Sequence, residues 1–166
     1  MTTLADAAAQ ADAFADEGNE RELAKLRAEW DELLESSARG ADFRDRAIAY
    51  RAIGQFRFRT KKELLRRGLE DDSPAVRGSA LIALERLSRD HPGDVNDVRP
   101  LLHELVTNDG NEAVRRLAVV ALRNGSPRPD TIQILTSLGG DDEQPRELRE
   151  AAAKVAQLLR RKGAKS

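Results

Sequence analysis

The chain repeats itself at a period of fewer than forty residues. Residues 76–84 and residues 114–122 align without a gap and are identical at five of nine positions. The pattern continues more weakly at residues 148–156 and 43–50, so that the four starting positions lie 33, 38 and 34 residues apart. This period is too short for a domain and matches a two-helix unit that stacks on its neighbours. The repeat therefore predicts an all-α superhelix.

Apolar residues within each block recur at the helical period. In residues 76–84 they lie zero, four, seven and eight positions from Val76, which places them on one face of a helix. The preceding loops, such as residues 71–74 and 141–145, carry side chains that cap helix starts, followed by proline. Each repeat is therefore predicted to open with a helix. Second helices are expected near residues 60–69, 94–106 and 129–138, and the fourth repeat is expected to end after its first helix in a basic tail.

The composition agrees with closely packed helices and excludes several kinds of chemistry. The chain has 25 Ala and 21 Leu against 13 Val and Ile combined, which favours helices over a sheet. It has no cysteine and two histidines, so disulfides, thiolate nucleophiles and cysteine-ligated or histidine-rich metal sites are not expected. We expect no cofactor. No apolar run is long enough to cross a membrane and no signal peptide is evident, which predicts a cytoplasmic protein.

The two strongest blocks share one extended motif. Residues 71–84 and 109–122 share the pattern Asp-x4-Val-Arg-x2-Ala-x2-Ala-Leu, where x is any residue. The motif resembles the HEAT repeat, in the short bacterial form also seen in phycobilisome-lyase-type proteins, and the resemblance covers roughly residues 38–161. It implies an α-α superhelix of about three and a half two-helix repeats. It also implies a structural role, hydrogen bonding between successive turns, for Asp71, Arg77, Asp109, Arg115 and Arg149.

Residues 1–37 precede the repeats and are predicted to form an N-terminal tail and a capping helix, ahead of a single repeat domain at residues 38–166. A helix is expected from about Asn19 to Ser36. Its apolar stripe comprises Leu23, Leu26, Trp30, Leu33 and Leu34. Trp30 is interpreted as a core residue of this cap, with a partner-binding anchor as the alternative. Residues 1–16 alternate Ala with Asp and are expected to be frayed helix or disorder.

The net charge of −1 conceals blocks of opposite sign. Residues 1–42 carry 11 acidic and 4 basic side chains, residues 43–69 carry 2 and 9, and residues 143–166 carry 3 and 7. Neighbouring blocks of opposite sign can neutralise each other, and this is one interpretation of the first two blocks.

A second interpretation is a basic patch on the second helix of the first repeat. If the leucines of residues 60–69 face the core, the other face carries Lys61, Lys62, Arg66 and Arg67. Second helices line the concave surface of HEAT-type solenoids, so this patch could bind an acidic protein, a phosphorylated segment or a nucleic-acid backbone. A solvated face is the alternative. Nucleic acid is disfavoured because the later second helices are not basic and offer residues such as Gln133 and Thr136.

Other candidate sites in the sequence are weak. His91 and His103 lack neighbouring metal-ligating residues and are interpreted as surface residues. The Asp pairs at residues 71–72 and 141–142 lack the spacing of a calcium loop. The leading hypothesis is thus a non-catalytic scaffold that binds a protein partner through its concave surface. The alternatives are a nucleic-acid-binding protein or an enzyme of the DNA glycosylase or bilin lyase type, both of which can have this architecture.

Overall fold

The computed structural model describes residues 1–165, and within them every helix or strand assigned is an α-helix. The prediction of an all-α fold is therefore confirmed. The helices are α1 Leu4–Asp16, α2 Glu20–Ala38, α3 Phe43–Gln55, α4 Lys62–Leu69, α5 Pro74–Ser88, α6 Gly93–Asn96, α7 Arg99–Asn108, α8 Glu112–Leu122, α9 Pro129–Gly139 and α10 Arg146–Lys165. They belong to two compact units, a first unit of residues Met1–Leu87 and a second unit that begins at Ser88.

The first unit begins with an ordered helix where frayed or disordered chain was expected. Helix α1 starts with a capping box, in which the Thr3 hydroxyl accepts from the Asp6 N–H and the Asp6 carboxylate accepts from the Thr3 N–H. Its buried residues are Leu4, Ala7, Ala8 and Ala11, and the helix packs on α2 and α3. The expectation for residues 1–16 is wrong because alanines give a weak hydrophobic signal in sequence, yet their small size lets neighbouring helices approach closely.

Helix α2 buries only part of its predicted apolar stripe. Leu23 and Leu34 are fully buried, Leu26 and Trp30 are half-buried, and Leu33 is 48% exposed. The apolar stripe is therefore buried at Leu23 and Leu34 and open to solvent at Leu33. The core face of the helix is centred on Leu23, Leu34 and Ala38, so Leu33 lies at its edge.

The first repeat lies two residues out of the register that the sequence alignment gave it. Phe43 was aligned with Val76, but Phe43 is 44% exposed whereas Val76 is fully buried. The Arg46 side chain donates hydrogen bonds to backbone carbonyls six and five residues before it, and Arg77 does the same. Arg46 is therefore the counterpart of Arg77, and the alignment was wrong because Phe43 begins its helix whereas Val76 lies inside the first turn.

With this register, small side chains occupy one buried position in all four first helices. The alanines at this position are each fully buried: Ala49, Ala80, Ala118 and Ala152. Close approach is clearest between α3 and α5, where a Cβ added at Gly54 would lie 2.8 Å from the Cα of Ala83. Packing through small residues therefore joins successive repeats in the first unit.

The second unit departs from the predicted helices at two places. The helix expected at residues 94–106 is divided into the short α6 and the longer α7, and Pro100 lies in the first turn of α7, where proline is tolerated. The predicted basic tail instead continues α10 to Lys165. Helix α10 packs on both α8 and α9, and its inner face is formed by Leu148, Ala152, Val155, Ala156 and Leu159.

Candidate functional site

Lys61 does not lie on the exposed face of α4. It precedes the helix, its side chain is 8% exposed, and its ammonium group binds Asp31 and Glu35 of α2, the latter at 2.8 Å. The ammonium also lies 4.8 Å from the centre of the Phe58 ring. Burial acts to lower the pKa of Lys61, but the two carboxylates outweigh it and raise the pKa above its ordinary value. The expectation that Lys61 belongs to an exposed patch is wrong because α2 supplies carboxylates that cover it.

Arg57 is also neutralised within the first unit. It follows α3 with a left-handed backbone, φ 56°, and its guanidinium binds Asp12 at 2.7 Å and Asp16 at 3.1 Å, both on α1. This conformation is uncommon at a residue other than glycine. Arg27 of α2 contacts the same turn by donating to the carbonyl oxygen of Phe56 at 2.7 Å. Carboxylates of residues 1–42 therefore neutralise Arg57 and Lys61 of the basic block.

Three of the four predicted cations are exposed on α4, and we call them the basic surface: Lys62, Arg66 and Arg67. The side chains of Arg66 and Arg67 make no hydrogen bond or ion pair with any residue in the range 1–165. Glu63 and Glu70 are exposed on the same helix or directly after it, so the surface carries less net positive charge than the four cations implied. Its position on a concave face stays a prediction.

Arg67 lines a cleft of about 470 Å³ in the first unit, which we call the first cleft. The cleft lies where α2 ends, α3 begins and α4 runs into the next repeat. Its lining residues are Ala38, Arg39, Gly40, Arg46, Arg67, Glu70, Asp71 and Asp72. Among its arginines, Arg39 contacts Glu35 and Arg46 contacts Asp71, whereas Arg67 has no such partner. A carboxylate entering the first cleft would therefore meet a guanidinium with free donors.

Two hydrogen bonds join Arg46 of the first repeat to Asp71 at the start of the next. The Nε–Oδ2 and Nη2–Oδ1 distances are both 3.0 Å, and the side chains are 18% and 13% exposed. Asp71 also accepts from the Ser73 N–H at 2.9 Å. Burial acts to raise the pKa of Asp71, but the hydrogen bonds from Arg46 and Ser73 and the nearby arginine charges outweigh it. The pKa of Asp71 is therefore held below its ordinary value.

The second unit has a corresponding cleft of about 390 Å³, the second cleft, around Arg115. Arg115 donates to the Val106 carbonyl at 2.8 Å and to the Gln144 side-chain oxygen at 2.9 Å, and Gln144 in turn donates to Asp141 at 3.2 Å. Gln133 lines this cleft together with the charged side chains of Arg115 and Asp141. Thr136 does not line the cleft, and its hydroxyl accepts from Arg160 at 2.6 Å.

The other repeat residues make local contacts near helix starts. Arg77 donates to the backbone carbonyls of Asp71 and Asp72 at 2.9 and 3.1 Å. Asp109 accepts from the Asn111 N–H at 2.9 Å, and Arg149 donates to the Gln144 carbonyl at 3.0 Å. The contribution of these residues to stability stays a prediction.

The histidines lie apart from both clefts. His91 is exposed, whereas His103 is half-buried and lies 2.8 Å from the Thr131 hydroxyl. Burial lowers the pKa of His103 below its ordinary value. Across residues 1–165 no cluster of three metal-ligating side chains is found, and none of the helices there is long and apolar enough to cross a membrane.

Sequence reasoning missed three residues that organise these sites: Arg46, Arg57 and Gln144. Arg46 could have been found by counting from Asp42, since the arginine occupies the fourth position after the cap residue in both α3 and α8. Arg57 and Gln144 carry no comparable signal, because their partners are 45 and 29 residues away.

Comparison with known proteins agrees with this architecture. Residues 31–123 match a family model described as HEAT repeats, which is more than half of the chain. The chain therefore belongs to the HEAT-repeat family.

One curated relative is condensin complex subunit 3 of Schizosaccharomyces pombe (strain 972). It is 33% identical to this chain over 97 residues, which cover 51% of this chain and 11% of that protein. This chain thus corresponds to a small part of the relative. No solved structure matches the chain.

Proposed function

We propose that this chain is a non-catalytic HEAT-repeat scaffold that binds an acidic segment of a protein partner through the basic surface and the first cleft. The observation that carries the proposal is a difference among arginines of the first unit. Arg46 and Arg57 are held by carboxylates of the chain itself, whereas Arg66 and Arg67 are exposed without such a partner. The guanidinium groups of Arg66 and Arg67 are therefore available to a carboxylate of another molecule.

The geometry of the first cleft favours a carboxylate as the group recognised. A guanidinium can bind a carboxylate through two parallel hydrogen bonds, which adds direction to the attraction between charges. Arg67 lines the cleft, so a side chain that enters there loses part of its water and interacts more strongly than on an open surface. The carboxylates that line the cleft, on Glu70, Asp71 and Asp72, form no ion pair with Arg67, and both oxygens of Asp71 accept from Arg46.

The comparisons support the protein-binding part of the proposal. The curated relative is a subunit of a complex, which is consistent with a repeat module that functions by binding other proteins. Stacked repeats also provide an extended surface whose exposed residues can vary without disturbing the core. Nucleic acid is the weaker candidate, since the basic surface has three cations and the second cleft is lined largely by neutral side chains. A bacterial origin and a cytoplasmic location stay predictions from the sequence.

The test compares two charge-reversed variants by quantitative affinity capture from a lysate treated with nuclease. The first is Arg66→Glu with Arg67→Glu. The matched control is Arg44→Glu with Arg51→Glu, two arginines on α3 that are also exposed and without an ion pair among residues 1–165. We expect wild type and control to recover the same stoichiometric protein and the first variant to lose it. Equal recovery by all three would contradict the proposal, as would a protein recovered from an untreated lysate and lost after nuclease treatment.

A further inference from the structure

Helix α2 carries an apolar edge that the first unit does not cover. Leu26 and Trp30 are half-buried and Leu33 is 48% exposed, the largest exposure of any large apolar residue in 1–165 except Met1. The three residues are four and three positions apart, so they form one stripe along the helix. Leu33 lies at the solvent side of that stripe.

Unpaired carboxylates flank this stripe. Glu29 lies one turn before Leu33 and one turn after Leu26, and Glu32 lies next to Leu33 in sequence. Both glutamates are exposed, and neither forms an ion pair with any residue the structure describes. We call Leu26, Glu29, Trp30, Glu32 and Leu33 the acidic edge.

Helix α10 presents the opposite charge around an exposed leucine. Leu158 is 37% exposed, with Lys154 one turn before it and Arg161 one turn after it. Both cations are exposed, and no ion pair of either is found within residues 1–165. We call Lys154, Leu158 and Arg161 the basic edge.

We propose that copies of this chain associate head to tail, with the acidic edge of one copy packed on the basic edge of the next. Each edge has an exposed leucine next to charges of one sign, and the two signs are complementary. The helices also match in length, since 19 residues of α2 and 20 residues of α10 each extend about 30 Å. Pairing like edges would place like charges together, so the contact joins unlike surfaces.

This contact is heterologous and weak. An interface between two different surfaces leaves one of each free, so further copies can add as an open chain or until a ring closes. Two helices that meet along one edge bury less than the roughly 1,200 Å² of a stable interface. We therefore expect a weak, transient contact that weakens further as added salt screens the charges.

Sedimentation velocity of the full chain tests this association. The average mass of the wild type should rise between about 10 and 500 µM in 50 mM salt and should fall back in 500 mM salt. Two variants each remove one edge without creating a new one: Glu29→Gln with Leu33→Gln, and Lys154→Gln with Leu158→Gln. Each alone should stay monomeric, with a helical circular dichroism spectrum like that of the wild type.

Mixing the two edge variants provides the decisive comparison. Each retains the edge that the other lacks, so an equal mixture should form a one-to-one dimer and nothing larger. The Arg66→Glu, Arg67→Glu variant should self-associate like the wild type, which separates this inference from the proposed partner site. A monomeric wild type at 500 µM, an edge variant that still associates alone, or a mixture that stays monomeric would each overturn the inference.

Discussion

Arg46 in the first unit and Arg115 in the second occupy the same position in their helices, yet they bind different groups at the start of the next repeat. Each lies four residues after its helix cap. Arg46 gives two hydrogen bonds to the Asp71 carboxylate, whereas Arg115 gives one to the Gln144 amide and directs another to a backbone carbonyl. The arginine donor is therefore part of the repeated sequence pattern, whereas its acceptor differs between the two repeats.

This difference in acceptor affects the strength and the pH dependence of the two contacts. Both contacts have an ionised donor, but only the first has an ionised acceptor, so it adds the attraction between two opposite charges. A carboxylate can also be protonated in mild acid, whereas an amide cannot. The first contact is therefore expected to be the stronger one and to depend on pH. The second is expected to be weaker and less dependent on pH over the same range.

The largest effect is expected from removing the carboxylate of the first contact. Asp71→Ala leaves the Arg46 guanidinium without its partner and also removes the acceptor for the Ser73 N–H, so the free energy of unfolding should fall by about 2–3 kcal/mol. Chemical denaturation measures this loss. A double-mutant cycle with Arg46→Met should show that the two substitutions are not additive. Additive losses would mean that the pair is not coupled.

The next largest loss of stability is expected from overpacking a buried alanine position that the two units share. Ala80 and Ala118 occupy the same buried position, one in each unit, and both are fully buried. Replacing either with Leu should overpack the neighbouring helices and cost about 1–3 kcal/mol in thermal or chemical unfolding. If Ala118→Leu unfolds at the wild-type temperature, that position is not a tight contact in the second unit.

A smaller loss is expected from the second contact. Arg115→Met removes one charged donor from neutral acceptors and leaves an amide that Asp141 still contacts, so the cost should be about 1 kcal/mol. Gln144→Ala should cost no more than this. A loss for Arg115→Met as large as that for Asp71→Ala would contradict the distinction between the two clefts.

The smallest predicted effect is a difference in acid sensitivity. The pKa of Asp71 is lower in the folded chain than in the unfolded chain, so its ionised form stabilises the fold above about pH 4. That contribution is lost as the pH falls through the folded-state pKa. Denaturation between pH 7 and pH 3 should therefore show a steeper loss for wild type than for Asp71→Asn. Gln144→Ala is the control and should follow the wild-type slope.

The repeat signal predicted the fold class and most helices, because buried apolar residues at a fixed period depend on short-range sequence. It failed at α1, whose buried face is built mainly from alanines. It also misplaced the first repeat by two residues, since an exposed Phe43 resembles a core residue in sequence. Counting from the helix cap would have given the correct position of Arg46.

The candidate site was predicted less well, because exposure of a cation depends on carboxylates distant in sequence. Arg66 and Arg67 lie where the pattern of α4 placed them, on the exposed face. Lys61 looked equivalent to them, but its partners on α2 are 30 and 26 residues away. No local pattern distinguishes a lysine that pairs with an earlier helix from one that stays free.

The most direct test of the first contact is an NMR titration of the Asp71 carboxyl carbon in the wild type and in Arg46→Met. In the wild type the pKa of Asp71 should lie below the ordinary value for aspartate, because the hydrogen bonds from Arg46 and Ser73 outweigh burial. In Arg46→Met burial is no longer opposed by that guanidinium, so the pKa should rise. An Asp71 pKa that is the same in both proteins would contradict the ion pair between successive repeats.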